Sequence, residues 1–254
     1  MTYTTQAGAR CGLYLVSAGI GDPDSITVKA QKTLRGVDIV FGIPRLLEAF
    51  AELLSGKEQH KAGHGLFSPL ARRDTPEEEV DAMEKQTREI IHAAAAAGKT
   101  VAVLDYGDAM IFGPQSGYLS EFSELNPIVV PGISCFNAAN AALARDVTGG
   151  KHSRSVILAA SADTRDDYTG SDTLDKLAAT GSTLVFFTMR ADLPSLVERL
   201  SRHMPASTPL AIVAHAGADA KQAVLRATLG TVLARTENDK PPFEHLVYVG
   251  DFLN

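Results

Sequence analysis

Short apolar runs alternate with amphipathic stretches along this chain. The first run covers residues 12–18 and ends in Gly19-Ile20-Gly21-Asp22-Pro23-Asp24. A helix is expected next, capped by Asp24 or Ser25, running to Leu34 and closed by Gly36. Residues 37–41 form a second apolar run, and residues 44–54 a short amphipathic helix with Leu46, Leu47, Phe50 and Leu54 on one side. Residues 55–74 carry glycines and basic side chains without period, which predicts a loop around a short extended segment. The clearest helix begins at Thr75-Pro76-Glu77-Glu78, a capping box with proline at the first helical position. Val80, Met83, Ile90, Ile91 and Ala94 give its stripe, and Gly98 its stop.

Residues 100–104 read as a strand entering Asp105-Tyr106-Gly107-Asp108. Residues 128–130 read as another, stopped by Pro131-Gly132 and followed by an Ala-rich helix to Ala144. Further strands are expected at 156–160, 183–187, 210–214 and 246–249, with a weaker one at 223–229 and helices at 174–179 and 193–202. Strands alternating with helices imply an α/β architecture with substantially parallel pairing. Ligands of such sheets sit at the carboxyl ends of strands, where the three turns lie. The length of 254 residues suits two domains, with a hinge near residues 113–127 separating 12–115 from 125–254.

Composition narrows the function. A formal net charge of -6 argues against nonspecific nucleic-acid binding. Residues 1–11 are polar, which predicts a frayed start, and residues 1–12 lack the apolar centre of a signal peptide. No apolar run reaches a membrane span, and two cysteines, Cys11 and Cys135, make no disulfide framework. A cytoplasmic protein is the expectation.

The glycine turn after the first strand suggests a nucleotide-like cofactor, because a tight turn exposes backbone and the helix beyond offers free N–H groups. It is not the dinucleotide fingerprint. Aspartate stands where G-x-G-x-x-G needs its third glycine, and Asp38 lies at the beginning of the second strand rather than its end. A P-loop is excluded because no G-x-x-x-x-G-K-[ST] occurs. Glycines that merely make turns would explain any one of the three sites, though less readily all three together.

Five segments in order resemble the tetrapyrrole (corrin/porphyrin) methylases, the class III S-adenosylmethionine-dependent methyltransferases. Ser17 to Asp24, followed by Thr27, Lys29-Ala30 and Val37 to Val40, is similar to the family's G-x-G-x-G-D-P opening. Tyr106-Gly107-Asp108-Ala109-Met110-Ile111-Phe112-Gly113 resembles its central G-G-D-P-x-x-F-G. Val130 to Cys135 with Ala138-Ala139, Thr183 to Met189, and Pro209 to Gly217 with Gln222 and Thr228-Leu229 resemble the remaining three. The resemblance covers about residues 12–250. It implies two α/β domains, each on a largely parallel five-stranded sheet, with S-adenosylmethionine in the cleft between them, S-adenosylhomocysteine as product, and a homodimer. By resemblance, Ile20 stands at the pocket entrance. Tyr106, Gly107, Asp108, Ile111 and Phe112 match the segment gripping the methionine part and ribose. Ser134 and Cys135 match the pair facing the same moiety, and Thr188 and Ala216 the adenine side.

The activity implied is methyl transfer to a small tetrapyrrole or precorrin-like substrate. The alternatives are a methyltransferase of the same fold acting on a peptide or other substrate, and a cofactor-binding module without catalysis. A sulfonium donor needs alignment more than a catalytic triad. Asp108 is the candidate carboxylate beside the cationic donor, against the plainer reading of a turn cap. His215 and Tyr106 are weighed as bases against packing roles, and Asp22 reads as a cap. Lys57, Lys61, Arg72 and Arg73 can clamp substrate carboxylates or form an ordinary solvated basic loop. His60 and His64 lack a third metal ligand. The chain departs from the family pattern at Ser17, Ile20, Tyr106 and Ala109, and Gly42-Ile43 and Pro114, standing where the resembled uroporphyrinogen methylases carry charged residues, count against uroporphyrinogen as substrate.

Overall fold

The computed structural model describes residues 12–68, 75–160, 168–187, 192–218 and 220–254. The chain divides into two compact units, Met1–Ser134 and Cys135–Asn254. In the first, the elements run β1 (Leu13–Ser17), α1 (Val28–Gly36), β2 (Ile39–Gly42), α2 (Pro44–Ala49), β3 (Glu58–Lys61), α3 (Glu77–Ala96), β4 (Val101–Asp105), α4 (Gly117–Glu121) and β5 (Ile128–Val130). All five strands pair in parallel, in the order β3-β2-β4-β1-β5. The sequence placed a hinge at 113–127. In the structure β5 beyond it still pairs with β1, so the first unit extends to Ser134.

Alternation along the strands fills two separate cores. Leu13, Leu15, Ile39, Phe41, Val101 and Val103 pack with Val80, Ile91 and Ala94 of α3 and with Tyr118 and Phe122. Val16, Val40, Ala102, Leu104 and Val130 pack on the other face with Ala30 and Leu34 of α1 and with Leu46 and Phe50. A sheet covered on both faces explains why β4 is buried along its whole length, while polar β3 takes an edge.

Two predicted caps differ. Asp22 caps a 3₁₀ turn at Pro23–Ser25, and α1 starts later on Thr27, whose Oγ1 accepts from Ala30 N at 3.1 Å. The capping box before α3 does not form. Pro76 takes the N-cap position without a side-chain bond, and Glu77, Glu78 and Glu79 place negative charge on the positive helix end instead.

The second unit runs α5 (Cys135–Leu143), β6 (Val156–Ala160), α6 (Leu174–Ala179), β7 (Thr183–Phe187), α7 (Leu193–Ser201), β8 (Pro209–Ala214), β9 (Ala223–Thr228), α8 (Val232–Thr236) and β10 (His245–Val249). Its sheet has the order β6-β7-β10-β8-β9. The expectation of largely parallel pairing fails here. Only β6 and β7 are parallel, and β10 pairs antiparallel with both β7 and β8, as β8 does with β9. Residues 215–222, between β8 and β9, are too few for the roughly dozen-residue crossover a parallel pair needs. Leu184, Phe186, Ile212 and Val247 face α6 and α7, whereas Val185, Val213 and Tyr248 face α5.

Candidate donor site on the carboxyl edge of the first sheet

From β1 the chain leaves through α1, which packs on one face of the sheet. From β4 it leaves through α4, which packs on the other. Adjacent strands whose connections depart to opposite sides make a topological switch point, the place where open α/β sheets bind ligands. Here it lies beyond Ser17 and Asp105, which are register partners at the ends of β1 and β4.

Three turns meet there. Gly19 and Gly107 form an isolated antiparallel bridge, with Gly107 N donating to Gly19 O at 2.6 Å and Gly19 N to Gly107 O at 3.2 Å. Gly19 has φ +69°, a conformation that disfavours a side chain. The third turn closes from β5. A Cβ on Gly132 would lie 2.6 Å from Ser17 Cβ and 3.1 Å from Gly107 O, so the backbone must be bare for the turns to touch. Thr27 Oγ1 donates to Pro131 O at 3.5 Å, joining the start of α1 to the same corner.

The segment after β4 is held from within and from behind. Asp108 Oδ1 accepts from Met110 N at 2.8 Å, so the turn-cap role weighed for it is real. Ser17 Oγ, where the family pattern has glycine, accepts from Ala109 N at 3.0 Å. Asp105 is buried, and its Oδ1 and Oδ2 accept from Tyr106 N at 2.8 Å and Gln115 N at 3.0 Å. Burial pushes its carboxyl up to about 7, against the lowering effect of those two N–H donors, with the nearby Asp108 charge adding to the rise. Arg45, from the first turn of α2, stands over the Tyr106 ring with 5.1 Å to its centroid and reaches the Tyr106 hydroxyl at 3.5 Å. Sequence reading missed Arg45 because nothing in a single chain links α2 to a turn 61 residues away.

Of the residues expected at the donor, Ile20, Tyr106, Gly107, Asp108, Ile111, Phe112 and Ser134 lie on the turns at this edge. Ile20 and Ser134 are buried, and Phe112 is exposed, as are Met110 and Ile133. Cys135 and Ala216 belong to the second unit, where both pack against the cluster around Tyr248 and Val213. Thr188 lies outside the described residues. His215, weighed as a base, has φ +47° and its Nδ1 lies 3.3 Å from Glu244 Oε2. Lys57 does not serve a clamp. Its Nζ donates to Val37 O at 2.6 Å and Arg35 O at 3.0 Å, just ahead of β2, at the amino edge of the sheet. Lys61 ends β3 on the carboxyl edge and is exposed, while Arg72 and Arg73 lie outside the described residues. His60 is engaged by Glu58 at 2.8 Å. Among the described residues no group of three metal-ligating side chains gathers, and no helix is long and apolar enough to cross a membrane.

Comparison with known proteins places this architecture. Residues 12–233 match the family Tetrapyrrole (Corrin/Porphyrin) Methylases. The precorrin-4 C(11)-methyltransferase of Pseudomonas aeruginosa is 29% identical over 243 residues, covering 95% of this chain and 90% of that protein. The siroheme synthase of Hahella chejuensis is 29% identical over 246 residues, and the chain spans about half of it, 49%, against 94% of its own length. The fold is that of a cobalt precorrin-4 methyltransferase of cobalamin biosynthesis, with TM-score 0.76, 22% identity and 95% of both chains covered. A uroporphyrin-III C-methyltransferase from Thermus thermophilus, solved with S-adenosylhomocysteine, aligns with TM-score 0.66 and 22% identity over 95% of this chain and 98% of that one. With a family match extending over most of its length, the chain belongs to the tetrapyrrole (corrin/porphyrin) methylases.

Proposed function

We propose that this protein is an S-adenosylmethionine-dependent methyltransferase that methylates carbon on a precorrin-like tetrapyrrole. The observation that carries the reading is the meeting of three turns at the β1/β4 switch point, with Gly19, Gly107 and Gly132 in mutual backbone approach. Family membership and the named relatives support the same chemistry. The residues present suit the donor. Bare backbone at the glycine turns lets a ligand come close, Asp108 brings a carboxylate to a cationic group, and exposed Met110, Phe112 and Ile133 offer apolar surface to an adenosine.

S-adenosylmethionine, when bound, supplies a methyl group made electrophilic by its sulfonium. The protein's part is placement, which can supply roughly 7–11 kcal/mol of a bimolecular barrier. In this reading Tyr106, Gly107, Asp108, Ile111 and Phe112 bind the methionine and ribose parts, with Ile20 and Ser134 beside them. For Cys135, Thr188 and Ala216 the same reading rests on the family resemblance alone. One oxygen of Asp108 is committed to Met110 N, and the other is left for the ligand. Arg45 and Lys61 are the cations offered to substrate carboxylates. A homodimer in the cytoplasm belongs to the same proposal.

Isothermal titration with S-adenosylmethionine and S-adenosylhomocysteine tests the donor. Radiolabelled methyl transfer to precorrins, with peptides as control substrates, tests the acceptor. Binding of neither compound sinks the reading. Binding without transfer to any acceptor favours the module without catalysis, and label on peptide favours the peptide methyltransferase.

A further inference from the structure

We propose that Asp105 is a positioning residue for the donor-binding turn: its carboxylate fastens both ends of the 106–115 segment and, through Gln115, ties that segment to the loop after β3. The inference rests on the donor reading above and goes beyond it, because Asp105 does not line the turn but stands behind it.

The geometry is specific to a carboxylate. β4 ends at Asp105, and the N–H groups of Tyr106 and Gln115 beyond it need acceptors. One planar group supplies both, Oδ1 to Tyr106 N at 2.8 Å and Oδ2 to Gln115 N at 3.0 Å. Between those two anchors lie Gly107, Asp108, Ile111 and Phe112, four of the residues assigned to the donor. Gln115 is itself 1% exposed, and its Nε2 donates to Gly63 O at 2.9 Å. The segment is therefore closed at its neck like a drawn loop, and the knot reaches the chain that follows β3. The backbone of Ala18 completes the surround, its N donating to Asp105 O at 2.8 Å.

An amide in place of the carboxylate can accept at only one arm, because its NH₂ would face an N–H donor. A protonated carboxyl is weakened in the same way, which gives the clasp a pH signature. Burial holds this carboxyl's midpoint near 7, so the doubly accepting form grows as pH rises through neutrality; the desolvated charge weakens the fold as a whole, but while the carboxyl stays buried its two N–H bonds favour the closed segment. Among the described residues, the titratable or charged groups on the elements around it are Asp108 and Tyr106 on its own segment, Arg45 over Tyr106, and His64 next to Gly63 in the chain. Register partner Ser17 on β1 is uncharged.

The test compares wild type with D105N and Q115A from pH 6 to 8.5. Affinity for S-adenosylmethionine is read by titration, and protection of the 106 and 115 amides by hydrogen exchange corrected for intrinsic rates. In wild type, affinity should rise several-fold through neutrality and both amides should gain protection. In D105N binding should weaken about tenfold, lose that rise, and leave at least one of the two amides unprotected while residues 101–104 stay protected. Q115A should keep the pH rise with weaker binding. Wild-type affinity with an unchanged profile in D105N, or unchanged protection at both amides, overturns the proposal. Should D105N not fold, exchange in wild type decides it, because amides 106 and 115 that exchange without protection also overturn it. If wild type binds no donor at any pH, the functional reading fails, while exchange still reports whether Asp105 holds the segment.

Discussion

Replacing Gly132 by alanine probes the contact on which the donor site is built. The added Cβ would meet Ser17 Cβ at 2.6 Å, Ser17 O at 2.9 Å and Gly107 O at 3.1 Å, where ordinary contact begins at 3.4 Å. Two of these three atoms are backbone carbonyl oxygens, so no rotamer change relieves them. The turn after β5 must back away by about 0.8 Å, the shortfall between 2.6 and 3.4 Å. Overpacking of this kind costs ~1–3 kcal/mol. For a chain this long that lowers Tm by roughly 2–12 °C. A displacement near 1 Å at a binding turn can cost methyl transfer up to ~100-fold. Differential scanning calorimetry and titration with S-adenosylhomocysteine measure the two effects. Gly36→Ala is the control. It closes α1 with nothing within 4 Å of a new Cβ, and should be neutral or stabilising by up to ~1 kcal/mol. If Gly132→Ala melts and binds like wild type, the three turns are not the rigid unit described, and the argument from their meeting fails.

Asp108 separates into a capping and a charge role. Asp108→Asn keeps an acceptor for Met110 N and should stay folded but lose preference for the sulfonium over the neutral thioether, by ~10-fold or more if the lost charged contact is worth ~1.5–3 kcal/mol. Asp108→Ala should weaken both ligands, and equal behaviour of the two variants in titration would remove the charge role. In the second unit, Tyr248 bonds Asn140 Oδ1 at 2.9 Å, so Tyr248→Phe should cost about 1 kcal/mol in urea unfolding, and no change would mean the bond is idle. Asp105 makes stability pH-dependent. Its folded-state midpoint is raised to about 7 from 3.8, so its contribution is full below pH 3.8 and is lost as pH rises through 7. The loss is at most ~4 kcal/mol, from ~3 units at 1.36 kcal/mol each. Denaturant unfolding at pH 5 and pH 8 should show a smaller drop in Asp105→Asn, and parallel curves would refute the assignment.

Four of the five strands of the first sheet were readable as apolar runs closed by turn residues, whereas the edge strand β3, Glu-Gln-His-Lys, carries no apolar signal. The carboxyl-edge turns were legible for the same reason, and Asp22 as a cap needed only local chemistry. The second sheet was misread because apolar runs do not encode direction. The eight residues at 215–222 between β8 and β9 were the available signal for a hairpin. The failed capping box shows a local motif losing to its own proline, which took the N-cap rather than the first helical position. Arg45, Ser17 and Gln115 act through partners 61, 92 and 52 residues away, a kind of information that periodicity in one chain does not contain. Asp105 was noticed as part of a turn, but its burial follows only from the covering of both sheet faces.

The all-parallel first sheet also dictates an order of events during biosynthesis. Leu13 pairs with Val101 on one side, and Tyr14 with Ile128 on the other. At ~5–20 residues per second, the ribosome takes roughly 4–18 s to make the 88 residues separating Leu13 from Val101. Throughout that interval the leading strand has no partner strand to take up its backbone N–H and C=O groups. Nascent chains that stop short of Val101 should accordingly be cut by added protease within their first strand and need chaperone cover that longer ones do not.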